Sequence, residues 1–305
     1  MKIFIFYNII DNPHGGANQF LRCLRDEFRQ LGVYAETPQD ASIILFNSHQ
    51  HAAELAAFIE EFGQNKRFVH RLDGLQKLYN HVDDERQDLA LALNKKFAHA
   101  TIFQSRWAQQ AFSQFNRAFK QFDSVILNAP DPHFFYQGSN RELGRGRVKL
   151  VCSSWSTNKN KGFDVYEYLD ENLDFDKFEF TIIGNNPGIS FKHISVVGPL
   201  STHDLADKLR QNHLFITATK DDACSNSLLE ALACGLPAVA LASGGNPEII
   251  KHAGILFHGK HDVINALNDA VDNYDSVKSA IAVATISDIA GQYIELCKSI
   301  ENLQQ

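Results

Sequence analysis

Short apolar runs alternate with amphipathic stretches along the first part of the chain. The apolar runs predict β-strands at residues 2–7, 42–47, 67–69, 101–104 and 124–127. Apolar residues at helical spacing predict helices between them, at residues 17–31, 52–62, 85–97 and 106–115. Because strands and helices alternate, we expect a parallel sheet with helices on both faces.

The second part of the chain repeats this alternation. It predicts strands at residues 148–152, 178–183, 194–197, 214–217, 238–241 and 255–257, and helices at 164–169, 203–210, 227–233, 263–274 and 286–300. The stretch 128–147 mixes prolines, glycines and polar residues, which is typical of a hinge. We therefore predict an α/β fold of two Rossmann-like, doubly wound domains, at residues 1–130 and 145–285. They would face each other across a cleft at the carboxyl ends of their strands.

Composition and charge narrow the class of protein. Hydrophobic residues make up 44% of the 305 residues and charged residues 21%, which is enough apolar material for a sizeable core. The formal net charge is −7, so no overall basic field favours nucleic acid as a partner. The first half is nearly neutral and the second half acidic, which fits two separate folding units.

Three features bear on localisation. The five cysteines have neither metal-binding nor paired spacing, which predicts reduced thiols in a cytoplasmic protein. The apolar N-terminal run is predicted to be a strand rather than a signal peptide, and no run reaches the roughly 18 residues of a membrane span. Four basic residues of the first half have two possible interpretations, a solvated face or a peripheral contact with the inner face of the membrane. They are Lys95, Lys96, Arg106 and Arg117.

The stretch from Asp221 to Ile250 has the strongest chemical pattern. Asp222 and Glu230 flank a loop that turns into a predicted helix, and Ser225 is a candidate N-cap. The helix start offers backbone amides to an anion, those of Asn226, Ser227 and Leu228. The pattern therefore suits a phosphate-bearing sugar, whose hydroxyls would donate to the carboxylates. The alternative is that Ser225 only caps the helix and that Glu230 is a solvated acid.

Three further candidates follow predicted strands. Lys161 lies in the loop after residues 148–152, where it would neutralise a diphosphate or remain solvated. Gly15 and Gly16 follow the first strand and would admit a ligand close to the backbone, or form a plain turn. His70, in VHRLDG, is expected to project from a strand end into the cleft, the alternative being a structural histidine.

Together these residues resemble the retaining glycosyltransferases of family 4, which have the GT-B architecture. The resemblance covers nearly the whole chain and is most specific in the second half. The acid-x7-Glu motif, the CG-x-P element and the GG-x-x-E turn of that family align with Asp222, Glu230, Cys234, Gly235, Pro237, Gly244, Gly245 and Glu248. Lys161, Gly162 and Asp164 resemble its KG-x-D element.

This resemblance implies transfer of a sugar from a nucleotide-sugar donor, UDP-linked or alternatively GDP-linked, to a saccharide or lipid-linked acceptor. It implies catalytic roles for His70, Lys161 and Asp222, and donor binding by Gly15, Gly16, Ser225, Asn226, Ser227, Leu228 and Glu230. It also implies no metal or other cofactor, and a closing helix at about residues 286–305 that packs on the first domain.

Two departures from the family pattern keep other functions open. Asp222 stands where the family usually has Glu, and Ser156 stands where it commonly has Arg. A catalytically weak sugar-nucleotide-binding subunit would fit these departures. A sugar-nucleotide epimerase of similar shape is a further alternative, although it would require additional acids in the cleft.

Overall fold

The computed structural model describes residues 1–10, 15–115, 122–138, 142–144 and 146–301. The chain divides into two compact units. Unit 1 comprises Met1–Asn128 and Ala284–Gln305, and unit 2 comprises Ala129–Val283. Arg117, one of the basic residues considered for membrane contact, lies outside the described residues.

Each unit contains one parallel sheet. The strands of unit 1 are β1 (Ile3–Phe6), β2 (Ile43–Asn47), β3 (Arg67–Leu72), β4 (Ala100–Phe103) and β5 (Ser124–Val125), in the order β1-β2-β3-β4-β5. The strands of unit 2 are β6 (Val148–Ser154), β7 (Phe178–Gly184), β8 (Ser195–Val197), β9 (Leu214–Thr217), β10 (Ala238–Leu241) and β11 (Gly254–Phe257), in the order β11-β10-β9-β6-β7-β8. The predicted α/β class with two parallel sheets is therefore confirmed.

Helices connect nearly all of these strands. They are α1 (Gly15–Gln30), α2 (Ala52–Phe62), α3 (Gln76–Asn80), α4 (Glu85–Phe97), α5 (Arg106–Ser113), α6 (Phe163–Asn172), α7 (Thr202–Arg210), α8 (Asn226–Ala233), α9 (Asn246–Ile250), α10 (Val263–Asp272), α11 (Tyr274–Ser279) and α12 (Ile286–Glu301). A short 3-10 helix, Lys159–Lys161, precedes α6. Among the described helices, none is long and apolar enough to cross a membrane.

The described part of the unit 1 sheet has one further bridge outside its five strands. Tyr34 pairs in parallel with Ile3, whose strand β1 also pairs with β2. The chain thus places one short extended segment on one edge of β1 and then continues with β2 to β5 on the other. The chain therefore changes sides of β1 before it forms β2. Such a change of side opens a crevice at the carboxyl ends of β1 and β2. The apolar pattern did not predict this segment because only one residue forms the bridge.

In the sheet of unit 2, the chain adds strands on both sides of β6, and the change of side lies between β6 and β9. From β6 the chain adds β7 and β8 on one side and then β9, β10 and β11 on the other. Strands β9 and β10 are buried along their whole length, which explains their uninterrupted apolar sequences. The expected ligand position in this unit is therefore beside the loops that follow β6 and β9.

The helix α12 belongs to unit 1, although it follows unit 2 in sequence. Its Tyr293 is fully buried against two phenylalanines of α1, with ring centroids 6.2 Å from Phe20 and 6.4 Å from Phe28. Nε of Arg67, at the start of β3, donates to the backbone oxygen of Ile300. Helix α12 therefore packs against α1 and β3 of unit 1.

Two of the predicted elements differ from the structure in ways that matter for the site or the backbone. Strand β3 continues three residues beyond the predicted 67–69, to Leu72, since the polar residues His70 and Arg71 pair with β2 and β4 like any strand residue. The helix predicted at 263–274 is two helices, because Asn273 has φ −108° and ψ 20° and interrupts the helical backbone. The first difference changes the interpretation of His70.

Candidate functional site

Lys161 and Asp222 meet at the crevice of unit 2. Nζ of Lys161 lies 3.4 Å from Oδ2 of Asp222, and their side chains are 17% and 20% exposed. Lys161 lies in the loop that follows β6, and Asp222 in the loop that follows β9. The structure thus brings two catalytic candidates together beside β6 and β9, where the order of the strands changes side.

The backbone holds these two loops against each other. Gly162 has φ +78°, and a Cβ atom there would lie 2.3 Å from the backbone oxygen of Ala218. The amide of Lys220 donates to the oxygen of Asn160 at 2.7 Å. The hydroxyl of Tyr166, buried under the sheet edge, accepts from the amide of Ala218 at 3.1 Å. The glycine in the KG-x-D element is therefore needed for this close approach.

The turn after β10 supports Asp222 from the other side. Gly244 has φ +61°, and a Cβ atom there would lie 2.3 Å from the backbone oxygen of Asp222. That same oxygen accepts from the amide of Gly245 at 2.8 Å, and Oδ1 of Asp222 accepts from the amide of Cys224 at 3.1 Å. Nδ2 of the buried Asn246 donates to the oxygens of Thr219 and Leu241, which ties the turn to the loop after β9. The sequence patterns did not single out Asn246, although it lies inside the GG-x-x-E turn.

Helix α8 begins directly after this loop. Ser225 occupies the N-cap position as predicted, but its side chain makes no capping hydrogen bond. Its Oγ instead lies 3.2 Å from Oγ of Ser227. The predicted N-cap position of Ser225 is therefore confirmed, although its hydroxyl does not bond to the helix backbone. The first turn of α8 begins at Asn226 and includes Leu228, whose side chain is fully buried. The positive end of the helix dipole consequently lies beside Asp222 and Lys161.

Glu230 is not the solvated acid of the alternative interpretation. It lies in the second turn of α8 and is only partly exposed. Burial raises the pKa of its carboxyl group to about 8. Within the described ranges, no side chain forms a hydrogen bond or ion pair with this carboxyl group. A half-buried carboxyl group with a raised pKa near a helix start is a candidate ligand-binding group.

His70 does not project from a strand end. Strand β3 continues past it, and the side chain is fully buried in unit 1. Its ring stacks on Phe46 with centroids 4.2 Å apart. Nε2 lies 2.9 Å from the oxygen of Ser48, and Nδ1 lies 3.1 Å from Nδ2 of Asn94. Burial lowers its pKa to about 3, so the ring is neutral, donating through Nε2 and accepting at Nδ1. The expected projection into a cleft is wrong, because His70 is buried within the sheet of unit 1.

Gly15 and Gly16 lie at the start of α1. Gly15 has φ +70°, and among the described residues a Cβ atom there would have no neighbour within 4 Å. The backbone conformation itself favours glycine. The preceding residues 11–14 lie outside the described part of the chain.

Ser156 shapes the loop that precedes Lys161. Its backbone oxygen accepts from Oγ of Ser154 at 2.8 Å, and its Oγ accepts from the amide of Asn158 at 3.1 Å. Ser156 therefore stabilises a turn and carries no positive charge, whereas the resembling family commonly has Arg at this position. Lys161 is the cation of this loop that pairs with Asp222. A search of the described residues finds no group of three or more His, Cys, Asp or Glu side chains suited to a metal ion.

Comparison with known proteins identifies the second unit. Residues 150–274 match the family model of glycosyl transferases group 1. Unit 2 contains a glycosyl transferases group 1 domain. This matched segment includes Lys161, Asp222 and Glu230, and it indicates that the chain is a glycosyltransferase. By sequence, none of the curated proteins matches the chain.

Several solved structures are similar to the fold of the whole chain and not only to that of unit 2. Sucrose-phosphate synthase from Thermosynechococcus elongatus is similar with a TM-score of 0.72 and 14% identity, over 98% of this chain and 99% of its own. HepE from Anabaena in complex with UDP-glucose has a TM-score of 0.69 and 15% identity, over 99% of both chains. The catalytic domain of starch synthase IV from Arabidopsis thaliana, bound to ADP and acarbose, has a TM-score of 0.67 and 12% identity, over 95% of this chain and 79% of its own. The two parallel sheets therefore match the GT-B fold.

Proposed function

We propose that this glycosyltransferase transfers a sugar from a nucleotide-sugar donor to a saccharide or lipid-linked acceptor, with retention of configuration. The observation that carries the proposal is the Lys161–Asp222 pair beside the start of α8, inside the glycosyl transferases group 1 domain. A cation and a helix N-terminus together attract a diphosphate. UDP is the nucleotide that we favour, because the similar HepE structures contain UDP-glucose or UDP.

We assign the diphosphate, the sugar and the ribose of the donor to different residues of unit 2. Lys161 and the first amides of α8, at Asn226, Ser227 and Leu228, would stabilise the diphosphate. Asp222 would accept a hydrogen bond from a hydroxyl of the donor sugar once Lys161 turns towards phosphate. Glu230, as a carboxylate, would accept hydrogen bonds from the ribose hydroxyls.

The proposed reaction needs no protein nucleophile. The bond between the anomeric carbon and the leaving phosphate oxygen breaks while the acceptor oxygen forms a bond to that carbon on the same face. The acceptor proton passes to the departing phosphate oxygen. Negative charge grows on the diphosphate during this step, so Lys161 and the α8 amides would stabilise the transition state more than the ground state. We further propose that the reaction proceeds without a metal, so that EDTA leaves its rate unchanged.

A thermal-shift screen with UDP-glucose, GDP-mannose and ADP-glucose tests the donor class, since a ligand bound to the folded state raises its melting temperature. Transfer is then followed by NMR, which reports the anomeric configuration of the product. We expect stabilisation by one donor and a product that keeps the donor's anomeric configuration. An inverted product would contradict the mechanism.

One observation favours a second candidate function, a sugar-nucleotide-binding subunit without activity. Ser156 stands where the resembling family commonly has Arg, so a positive charge of that family's site is missing. Nucleotide binding without any sugar release would identify it.

A further inference from the structure

The two central strands of the unit 2 sheet diverge before they end. Strand β6 pairs with β7 along all seven of its residues, whereas its described pairs with β9 end at Val151 and Phe215. Both strands continue beyond these residues, so a gap opens between them at their carboxyl ends. The loops that carry Lys161 and Asp222 follow the two sides of this gap.

The hydroxyl of Tyr166 bridges β6 and β9 where they diverge. The thiol of Cys152, the next residue of β6, donates to it, with Sγ 3.1 Å from the hydroxyl oxygen. The amide of Ala218, which follows β9, donates to the same oxygen at 3.1 Å. The side chain of Thr217, the last residue of β9, also forms a hydrogen bond with this hydroxyl. One hydroxyl group thus connects the two strands beyond the point where their ladder ends.

The ring of Tyr166 is fixed by apolar packing. The residue is 1% exposed, and its ring packs edge-on against Phe163 and Phe180, with centroids 5.9 Å and 5.8 Å away. Burial raises its pKa well above the ordinary value and raises the pKa of Cys152 to about 11, so both groups keep their protons at physiological pH. A phenylalanine would make the same ring contacts, so apolar packing alone does not explain a tyrosine at this position.

Tyr166 connects the two loops that meet at the crevice. Helix α6, which carries Tyr166, begins directly after Gly162 and thus directly after the short helix that contains Lys161. The loop that begins at Ala218 contains Asp222. The Tyr166 hydroxyl is therefore joined to one loop through its own helix and to the other through the amide of Ala218. Loss of this hydroxyl would allow the two loops to move relative to each other.

We propose that Tyr166 is a positioning residue for the diphosphate, because its hydroxyl holds β6 and β9 at the separation at which Lys161 meets Asp222. The proposal rests on the proposed function, which supplies the diphosphate. Because Tyr166 is buried, it does not touch the donor and acts through Lys161. The ammonium group has to lie close to the phosphate oxygens to stabilise their developing charge, so the width of the gap controls the rate of transfer.

The test compares the full-length chain with its Tyr166→Phe variant, which keeps the ring and removes the hydroxyl. Isothermal titration with UDP measures diphosphate binding, and release of UDP from UDP-glucose measures turnover with water as the acceptor. We expect turnover to fall by about tenfold to 10²-fold in Y166F, since misplacement of a catalytic group by about 1 Å can cost about 10²-fold. UDP affinity should fall by a smaller factor, because binding demands less exact geometry than the transition state.

A double-mutant cycle with Lys161→Ala separates positioning from a merely structural role. If Tyr166 acts through Lys161, Y166F should lower UDP affinity and turnover in the wild-type background and have no further effect in K161A. Equal losses in both backgrounds would overturn the proposal, as would wild-type turnover in folded Y166F. The matched control is Tyr168→Phe, at a partly exposed position of the same helix, which should keep wild-type turnover.

Crystal structures of the same variants measure the geometry without a ligand. We expect the ion pair of Lys161 with Asp222 to persist in the wild type and in Y168F, and to be broken in Y166F. An intact ion pair in Y166F would overturn the proposal. Failure of the proposed function looks different, because the wild-type chain would then bind no nucleotide while the ion pair would still depend on Tyr166.

A second variant covers the case in which Y166F fails to fold. Cys152→Ala removes the donor on β6 and leaves the hydrogen bond between Tyr166 and Ala218 in place. We expect C152A to fold and to lose turnover by a smaller factor than Y166F, again with no further loss in the K161A background. Wild-type turnover in C152A, together with an unchanged ion pair in its crystal structure, would then overturn the proposal.

Discussion

The ammonium group of Lys161 lies 3.4 Å from a carboxylate oxygen of Asp222, and the two residues come from loops on adjacent strands. Each side chain is mostly but not fully buried, so each charge retains access to solvent or a ligand. A diphosphate carries more negative charge than the aspartate and would compete for the same ammonium. Under the proposed function, the ion pair would be the resting state of the donor site, in which Asp222 would hold Lys161 until phosphate binds.

Replacement of Lys161 by alanine should reduce sugar transfer strongly. Loss of one preorganised electrostatic partner of a developing charge lowers kcat by about 10²–10³-fold in well-studied sites. UDP affinity should also fall, as measured by isothermal titration, since Lys161 would contact the diphosphate in the ground state as well.

Lys220→Ala is the matched control, because Lys220 lies on the neighbouring loop and pairs with Asp164 at 3.3 Å, a geometry like that of Lys161 and Asp222. Its kcat should stay near the wild-type value. Equal activity of K161A and K220A would exclude the proposed role of Lys161.

Glu230→Gln should change the pH dependence of stability. The carboxyl pKa is about 8 in the folded chain and has an ordinary value of 4.5. Below pH 4.5 the group is protonated in both states. As the pH rises towards 8, the unfolded chain releases the proton while the folded chain retains it, so stability is lost through this window. Glutamine avoids that loss, and the melting temperature of E230Q relative to wild type should increase from pH 5 to pH 9. Glu171→Gln, at an exposed position of α6, should show a constant difference.

The strand and helix pattern was predictable because most strands of both sheets are apolar and the helices between them are amphipathic. Strands β9 and β10 were predicted at their observed bounds, since both are fully buried. Tyr34 was missed, because one bridging residue carries no periodicity. The ion pair of Lys161 with Asp222 was not predicted, although loops after adjacent strands of such sheets meet at the carboxyl edge.

Single polar residues were harder to assign. His70 and Arg71 interrupt an apolar run, and local sequence therefore ended β3 too early. His70 binds Ser48 and Asn94, and Arg71 binds Asn128. These three partners are distant in sequence, so no local pattern contains them. Similarly, the sequence places Ser225 at a helix start but does not reveal that its hydroxyl bonds to Ser227 instead of the backbone.

Nucleotide binding should itself depend on the ionisation of Glu230. Ribose hydroxyls donate more strongly to a carboxylate than to a neutral carboxyl group. UDP affinity should therefore rise between pH 6 and pH 8 and then level off, by at most about tenfold per pH unit for one proton. Titrations in two buffers of different ionisation enthalpy should reveal proton release on binding. E230Q should bind more weakly and without this pH dependence, and a flat wild-type profile would contradict the ribose role.

His70→Gln should destabilise unit 1 while leaving UDP binding intact. The variant disturbs the hydrogen bonds to Ser48 and Asn94, and buried losses of this kind cost about 1–3 kcal/mol each. The folded-state pKa of about 3 lies below the ordinary 6.5, so His70 stabilises fully above pH 6.5 and progressively less as the pH falls towards 3. The difference in unfolding free energy between wild type and H70Q should accordingly shrink from pH 7 to pH 4. The exposed His252→Gln should show no such trend.

Gly162→Ala should separate the two loops of the donor site. The added Cβ would lie 2.3 Å from the oxygen of Ala218, and alanine at φ +78° is itself strained, so we expect a loss of about 1–3 kcal/mol in unfolding free energy. Because the displaced loop carries Lys161, UDP affinity should fall as well. Gly291→Ala lies in the middle of α12, where the described residues place no atom within 4 Å of the added Cβ. It should instead raise stability by about 0.5–1 kcal/mol and leave UDP binding unchanged. Wild-type UDP affinity in a folded G162A variant would show that the close approach of Gly162 to Ala218 does not position Lys161 for the diphosphate.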